Sequence, residues 1–268
     1  MAIDVPKLIY GTAWKEDDTA RLTKLALDAG FRGIDTANQR RHYHEAGVGE
    51  ALREARLPGV FVQTKFTHLD GQDERLPYDR DAAMATQVAQ SIESSLQHLG
   101  TTAIDCYLLH GPSARDRLTS EDWEAWTAME AAQRAGKVRL LGISNVTLGH
   151  LEELWRKGSV KPAVVQNRCF ARTGWDRTVR RFCAAHGIVY QGFSLLTANP
   201  EVLRHPTIRA IAARTGRTGA QVVFRFAIQV GMVALTGTTS PRHMAEDLAV
   251  DEFSLEADEV KAIEGLTG

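Results

Sequence analysis

The sequence predicts an α/β protein of the (β/α)8 TIM-barrel class, folded as a single domain over residues 1–268. Three observations predict it. Short apolar runs recur eight times, and a stretch with helical periodicity follows each one. Runs such as YLLH and VRLLGI are apolar without strict alternation, which suits parallel strands buried on both faces. No linker rich in Pro, Gly or Ser and no low-complexity segment interrupts the series, and eight units in about 250 residues is the size of such a barrel.

The elements follow in order. LIYGT reads as the first strand, and Leu22, Leu25, Ala26 and Ala29 then share one helical face that Gly30 closes. RGID is the second strand, followed by the helix of Val48, Ala51, Leu52 and Ala55. VFVQTK precedes a long helix through Val88, Ile92, Leu96 and Leu99, stopped at Gly100. IDCYLLH precedes a helix with a Thr119/Asp122 capping-box signature and Gly136 at its end. VRLLGISN, VVQN, IVYQGFS and MVALTGT complete the strands, with helices in LEELWR, RTVRRFCAAH, GAQVVFRFAIQ and SPRHMAEDL. A doubly wound open sheet is the rival architecture, but YGTAWKED carries no GxGxxG phosphate loop.

Composition narrows the function classes. Apolar residues make up 44 % and charged residues 24 %, so a core forms without metals or disulfides. A net charge of −1 and the lack of any Lys/Arg run argue against nucleic acid or a membrane surface as partner and favour a small molecule. Cys106, Cys169 and Cys183 have no metal-ligand spacing, and an odd number cannot all pair within one chain. No metal is expected. With no signal or anchor pattern at the start, the expectation is a cytoplasmic protein, monomeric or weakly homo-oligomeric.

In a barrel, polar residues that close the strands face one common mouth. Here these are Asp35, Lys65, His110, Ser144 with Asn145, and Gln166 with Asn167. Each has an ordinary explanation: Asp and Asn cap helices, lysines are solvated, and a histidine before Gly-Pro marks a turn. Recurrence at one level is harder to explain that way, because a buried Lys needs a carboxylate partner and Asp35 is at hand. The stretch DTANQRRHYHEAGVGEAL adds an acid, a cluster of bases and Tyr43 between strand and helix.

The chain resembles the aldo-keto reductases along nearly its whole length, through GFRGIDTA, YHEAGVGEAL, QTKF, DCYLLHGP, GISN, VVQN, GFSLL and GTTSPRHMAEDL. The resemblance implies reduction of a small-molecule aldehyde or ketone by hydride transfer from NAD(P)H, with Asp35, Tyr43, Lys65 and His110 as the catalytic tetrad. It also implies a cofactor site at Gly11, Thr12, Ala13, Asp35, Ser144, Asn145, Gln166, Phe193, Ser194, Leu196, Gly237, Thr238, Thr239, Arg242, His243 and Asp247. Ser144, Asn145 and Gln166 would hold the carboxamide, and Phe193 would stack on the nicotinamide. Trp14, Tyr43 and His110 would meet the substrate, with FTHLDGQDERLPYDR supplying further wall. Tyrosine has a reference pKa near about 10, so a nearby cation such as Lys65 is expected to ease its proton release.

The chain departs from the family pattern in two places. Extra residues precede Tyr43, which leaves His42 and His44 as rival proton donors. Gly237, Thr238, His243 and Asp247 stand where Lys, Ser, Arg and Asn usually hold the adenosine 2′-phosphate. Losing fixed cations there makes NADH plausible, whereas Arg242 and helix amides after Thr238, Thr239 and Ser240 favour NADPH. The expectation is NADP(H) ahead of NAD(H) by a small margin. The alternative function is a cofactor-holding regulatory or redox-sensing subunit with little turnover.

Overall fold

The computed structural model describes residues 4–266, so the first three and last two residues of the expected 1–268 domain lie outside it. Eight parallel strands close into a barrel in sequence order, β1 pairing with β8. They are β1 Leu8–Gly11, β2 Gly33–Asp35, β3 Phe61–Phe66, β4 Ile104–Leu109, β5 Val138–Ser144, β6 Val164–Arg168, β7 Val189–Phe193 and β8 Met232–Thr236. The helices are α1 Thr19–Ala29, α2 Glu45–Ala55, α3 Met84–Leu99, α4 Ser120–Arg134, α5 Leu148–Lys157 and α6 Arg177–His186. α7 Pro200–Arg204, α8 Pro206–Thr215, α9 Gly219–Gln229, α10 Pro241–Leu248 and α11 Ala257–Glu264 complete them. Every expected strand–helix unit is present. The extra helices α7 and α8 fill the long connection after β7, and α11 follows the last unit.

Local chemistry sets the boundaries as the sequence implies. Gly100 ends α3 with φ 67°, a left-handed conformation that costs a Cβ-bearing residue more than glycine. Thr119 and Asp122 form the reciprocal capping box at the start of α4. All three cysteines are free and buried. No helix among the described residues is long and apolar enough to cross a membrane.

Two apolar layers divide the core. The larger one packs the helices against the outer strand faces, with Phe31, Trp126, Trp175, Phe224 and Phe226 among its buried side chains. The smaller one fills the barrel itself with Ile9, Phe61, Cys106, Leu108, Val164, Val233 and Leu235. Gly142 on β5 makes this layer possible, since a Cβ there would lie 2.3 Å from Leu108 Cδ2 and 2.5 Å from the Val164 carbonyl oxygen.

Strand periodicity then dictates what lies above the apolar layer. Side chains alternate along a strand, so the residues two positions on from Phe61, Val164 and Val189 also point inward. They are Gln63, Gln166 and Gln191, all buried. One more step brings Lys65 and Phe193 to the mouth, and from Leu108 it brings His110. A barrel that is apolar below therefore becomes polar at its C-terminal end.

Candidate active site

Asp35, at the end of β2, is the centre of the polar layer. Its Oδ1 accepts hydrogen bonds from Lys65 Nζ at 2.7 Å, Gln63 Nε2 at 2.7 Å and Gln166 Nε2 at 2.9 Å. Gln191 Oε1 accepts from Gln63 and Gln166 in turn, at 2.8 and 2.9 Å. Lys65 also donates to the Thr36 carbonyl at 2.8 Å. The side chains of the pair are only 1 % and 5 % exposed, so each charge depends on the other and on these dipoles.

Tyr43 lies above this network, with Lys65 Nζ 5.2 Å from its ring centroid. Its hydroxyl makes no hydrogen bond among the described residues and is not sealed off, so it opens on the cavity that Tyr43 lines. Burial, and then the Asp35 charge, raise the phenol above its ordinary value. The Lys65 ammonium itself faces Asp35 and the Thr36 carbonyl.

The loop carrying Tyr43 is tied down on several sides. The Tyr43 amide donates to the Gln39 carbonyl at 3.0 Å, and Arg40 Nη1 donates back to the Tyr43 carbonyl at 3.3 Å. Just beyond, the buried Glu45 carboxylate accepts from Thr64 Oγ1 of β3 and faces His98 Nδ1 of α3 at 2.9 Å, which fixes where α2 begins. His42 turns to stack on Trp14, ring centroids 3.9 Å apart. Neither His42 nor His44, the rival proton donors, borders the cavity.

His110 follows β4, its ring centroid 6.0 Å from that of Tyr43. Burial, the Lys65 charge and His42 push its imidazole down to about 3, so it is neutral near pH 7. Nδ1 lies 2.6 Å from Thr67 Oγ1.

A cavity of about 620 Å³ opens above these groups and extends to α10. Among the expected cofactor residues it is lined by Gly11, Ala13, Asp35, Ser144, Asn145, Gln166, Phe193, Ser194, Leu196, Gly237, Thr238, Arg242, His243 and Asp247. Tyr43 and His110 line it too. Asn145 and Ser194 both hold φ 56°, an uncommon conformation for residues with a Cβ that often accompanies functional sites.

Four expected residues lie off the lining. Thr12 is buried, its hydroxyl donating to the Asp35 carbonyl at 3.0 Å, so it braces β2. Lys65 lies beneath Asp35. Thr239 is exposed. Trp14 is 70 % exposed with φ 62°, and its amide donates to the His42 carbonyl at 2.7 Å, which ties it to the Tyr43 loop. Asn167, also at a strand end, has the ordinary role: it exchanges hydrogen bonds with the Val146 amide and carbonyl and donates to Asp176 at 2.8 Å.

Sequence reasoning missed other members of the site. Leu195, Thr197, Thr218, Ala220, Phe224, Leu235, Thr236 and Glu246 also line the cavity. Lys15 reaches the Gly237 carbonyl, joining the β1 and β8 loops. Gln63 and Gln191 could have been found by counting two residues back from Lys65 and Phe193. Thr67 was marked only as part of FTHLDGQDERLPYDR, the segment expected as further substrate wall, none of which lines this cavity.

The residues present suit a nicotinamide dinucleotide. Asn145 Nδ2 is spent on the His110 carbonyl at 2.8 Å and on Ser144 Oγ at 3.2 Å. Both Gln166 amide hydrogens are spent on Asp35 and Gln191. What Asn145 and Gln166 leave open are acceptor oxygens, which match the –NH2 of a carboxamide. At the far end, Arg242 Nε donates to Glu246 at 2.7 Å on the exposed face of α10. Asp247 accepts from Thr236 Oγ1 at 2.7 Å, and burial raises it to about 6.

Comparisons with known proteins agree with this geometry. The family model described as "Aldo/keto reductase family" matches residues 7–267. An aldo-keto reductase of Mycobacterium avium (strain 104) is 33 % identical, over 98 % of this chain and 86 % of its own length. A 9,11-endoperoxide prostaglandin H2 reductase of Trypanosoma cruzi (strain CL Brener) is 31 % identical, over 99 % of this chain and 89 % of its own. A solved structure of a Gox0644 mutant in complex with NADPH matches with TM-score 0.82 and 30 % identity, covering 97 % of this chain and 89 % of that one. A closed eight-stranded barrel, a polar mouth shaped for a nicotinamide and a family match over almost the whole length lead to one conclusion: the chain belongs to the aldo/keto reductase family and is an NAD(P)H-dependent oxidoreductase.

Proposed function

We propose that the protein reduces an aldehyde or ketone to the alcohol with Tyr43 as proton donor, and that it prefers NADPH to NADH by a modest ratio. The observation that carries the reading is the convergence of an unbonded Tyr43 hydroxyl and a neutral His110 on one cavity, above a buried Lys65–Asp35 pair. Phe193, Asn145 and Gln166 would hold a nicotinamide, which would supply the hydride. The chain's own groups do the rest. His110 hydrogen-bonds the carbonyl oxygen and orients it. Tyr43 gives its proton to that oxygen as negative charge develops there, and the nearby Lys65 ammonium stabilises the phenolate left behind. A raised phenol delays proton release until an alkoxide, the stronger base, is forming.

The cofactor preference rests on Arg242, the fixed cation on the cavity lining at the α10 end, and on the NADPH bound by the Gox0644 mutant. Arg242 is 79 % exposed at its side chain and already draws Glu246, so its gain on a phosphate is about 1 kcal/mol, or a preference of roughly fivefold. A cofactor-oxidation screen against aldehydes, ketones and diketones, run with each nicotinamide, tests both parts. Tight cofactor binding with no turnover on any carbonyl would overturn the reductase reading. An NADH preference would overturn the cofactor assignment.

A further inference from the structure

The loop after β3 begins with Thr67, which no motif marks and which lies off the cavity. Its surroundings fix it closely. The Thr67 carbonyl accepts from the Tyr78 hydroxyl at 2.8 Å and from Gln72 Nε2 at 3.4 Å, and the residue is 5 % exposed. A Cβ on Gly71 would lie 2.6 Å from Thr67 Cγ2, so the glycine lets the loop close on the methyl and leaves the hydroxyl facing His110. The same loop is stapled to the Tyr43 loop, with Gln72 Nε2 donating to the Asn38 carbonyl at 3.0 Å and Gln39 Nε2 to the Gly71 carbonyl at 2.6 Å.

We infer that Thr67 is a positioning residue: its hydroxyl donates to His110 Nδ1, confines the imidazole proton to Nε2, and so keeps a hydrogen-bond donor aimed into the cavity. A neutral imidazole has one N–H and a threonine hydroxyl has one O–H. The contact of Thr67 Oγ1 with His110 Nδ1, at 2.6 Å, is the only hydrogen bond of that hydroxyl among the described residues. If Nδ1 carried the ring proton, the hydroxyl hydrogen would be stranded in a nearly sealed place, whereas donation to Nδ1 satisfies both groups. Among the described residues Nε2 has no protein partner, and it is not sealed, so it faces the cavity that His110 lines.

The chemical consequence is a sign. A protonated Nε2 attracts a carbonyl oxygen and the charge that grows on it, but a bare Nε2 lone pair repels both. Thr67 therefore sets whether His110 helps or hinders.

This inference rests on the reductase reading for its kinetic part and stands apart from it in its spectroscopic part. The experiment is a two-bond ¹H–¹⁵N correlation on the full chain labelled in histidine, near pH 7, with His110→Asn to assign the signal, beside kinetics of Thr67→Val and Thr67→Ser. The native spectrum should show a protonated Nε2 and a bare Nδ1. Thr67→Val should mix the tautomers and lower kcat by about tenfold or more, with the Kd for NADPH within about twofold. Thr67→Ser, which keeps the hydroxyl, should restore both spectrum and kcat. A native ring protonated on Nδ1 overturns the inference, as does a Thr67→Val enzyme with native tautomer and native kcat. Should Thr67→Val fail to fold, the native and Thr67→Ser spectra still decide. Should the chain reduce no carbonyl, the reductase reading falls while the spectra judge Thr67 alone.

Discussion

Replacing Lys65 by methionine separates what the buried pair does for the fold from what it does for the reaction. The change keeps the length of the side chain and removes the ammonium 2.7 Å from Asp35 Oδ1, at side chains 1 % and 5 % exposed. Removing one partner of a buried pair costs about 3–5 kcal/mol, because the other charge is left uncompensated. Asp35 keeps the amide donors of Gln63 and Gln166, which places the expectation at the lower end, about 3 kcal/mol. For a chain of this size that is a fall in Tm of roughly 6–12 °C. The double variant Asp35→Asn/Lys65→Met leaves an uncharged oxygen facing the same two glutamines, so it should recover to within about 1 kcal/mol of the native protein. Turnover should not recover. Both variants lack the cation 5.2 Å from the Tyr43 ring, so both should remain nearly inactive. Thermal unfolding by circular dichroism, run beside steady-state kinetics, reads both quantities. If the single and double variants unfold at the same temperature, the charge balance assigned to the mouth is wrong. If the double variant turns over, the catalytic part is wrong.

The remaining expectations are narrower. Tyr43→Phe should lower kcat by about 10²–10⁴ while the Kd for cofactor, read by fluorescence titration, stays within about twofold; substantial residual turnover would remove Tyr43 as proton donor. Because His110 lies at about 3 in the fold and near about 6.5 when unfolded, the unfolded chain binds the extra proton between those values. Stability should therefore fall as pH falls through that window, by up to about 1.4 kcal/mol per unit, and His110→Asn should flatten the fall in urea titrations. Asp247, raised to about 6, acts in the opposite sense but is common to both proteins and cancels. Arg242→Ala should raise KM for NADPH and leave that for NADH unchanged, whereas His243→Arg should improve NADPH alone by roughly 1 kcal/mol; identical shifts for the two cofactors would refute the 2′-phosphate assignment.

Much of the fold was legible because its signals are local. Glycine stops, capping boxes and unalternating apolar runs mark eight strand–helix units, and barrel closure follows from their number and order. Within the site, Asp35, Lys65 and His110 were legible for the same reason: each ends an apolar run, and a strand end has a known place in a barrel. The direction of Trp14 was not legible, because a sequence assigns a side chain to a loop but does not aim it. A left-handed backbone turns it outward onto His42. The contacts of Thr67 and Lys15 were invisible because their partners, His110 and Gly237, lie in other strand-end loops and only barrel closure brings them together.

The adenosine end shows the limit of motif reasoning most clearly. Thr238, Thr239 and Ser240 ahead of α10 promise a row of free amides for a phosphate, but a helix start satisfies its own donors first. The Ser240 amide is bonded to Thr238 Oγ1 at 3.1 Å, Pro241 has no N–H, and the His243 amide is capped by Ser240 Oγ at 3.4 Å. Of the amides from Ser240 to His243, only that of Arg242 has no partner among these bonds. Within the start of α10, a 2′-phosphate would then meet that one amide and a guanidinium already turned toward Glu246, with the Asp247 carboxyl on the same cavity wall. If the chain takes NADPH as proposed, the expected preference is a few fold rather than the large ratio that a dedicated Lys and Arg would give, because one side chain is competed for.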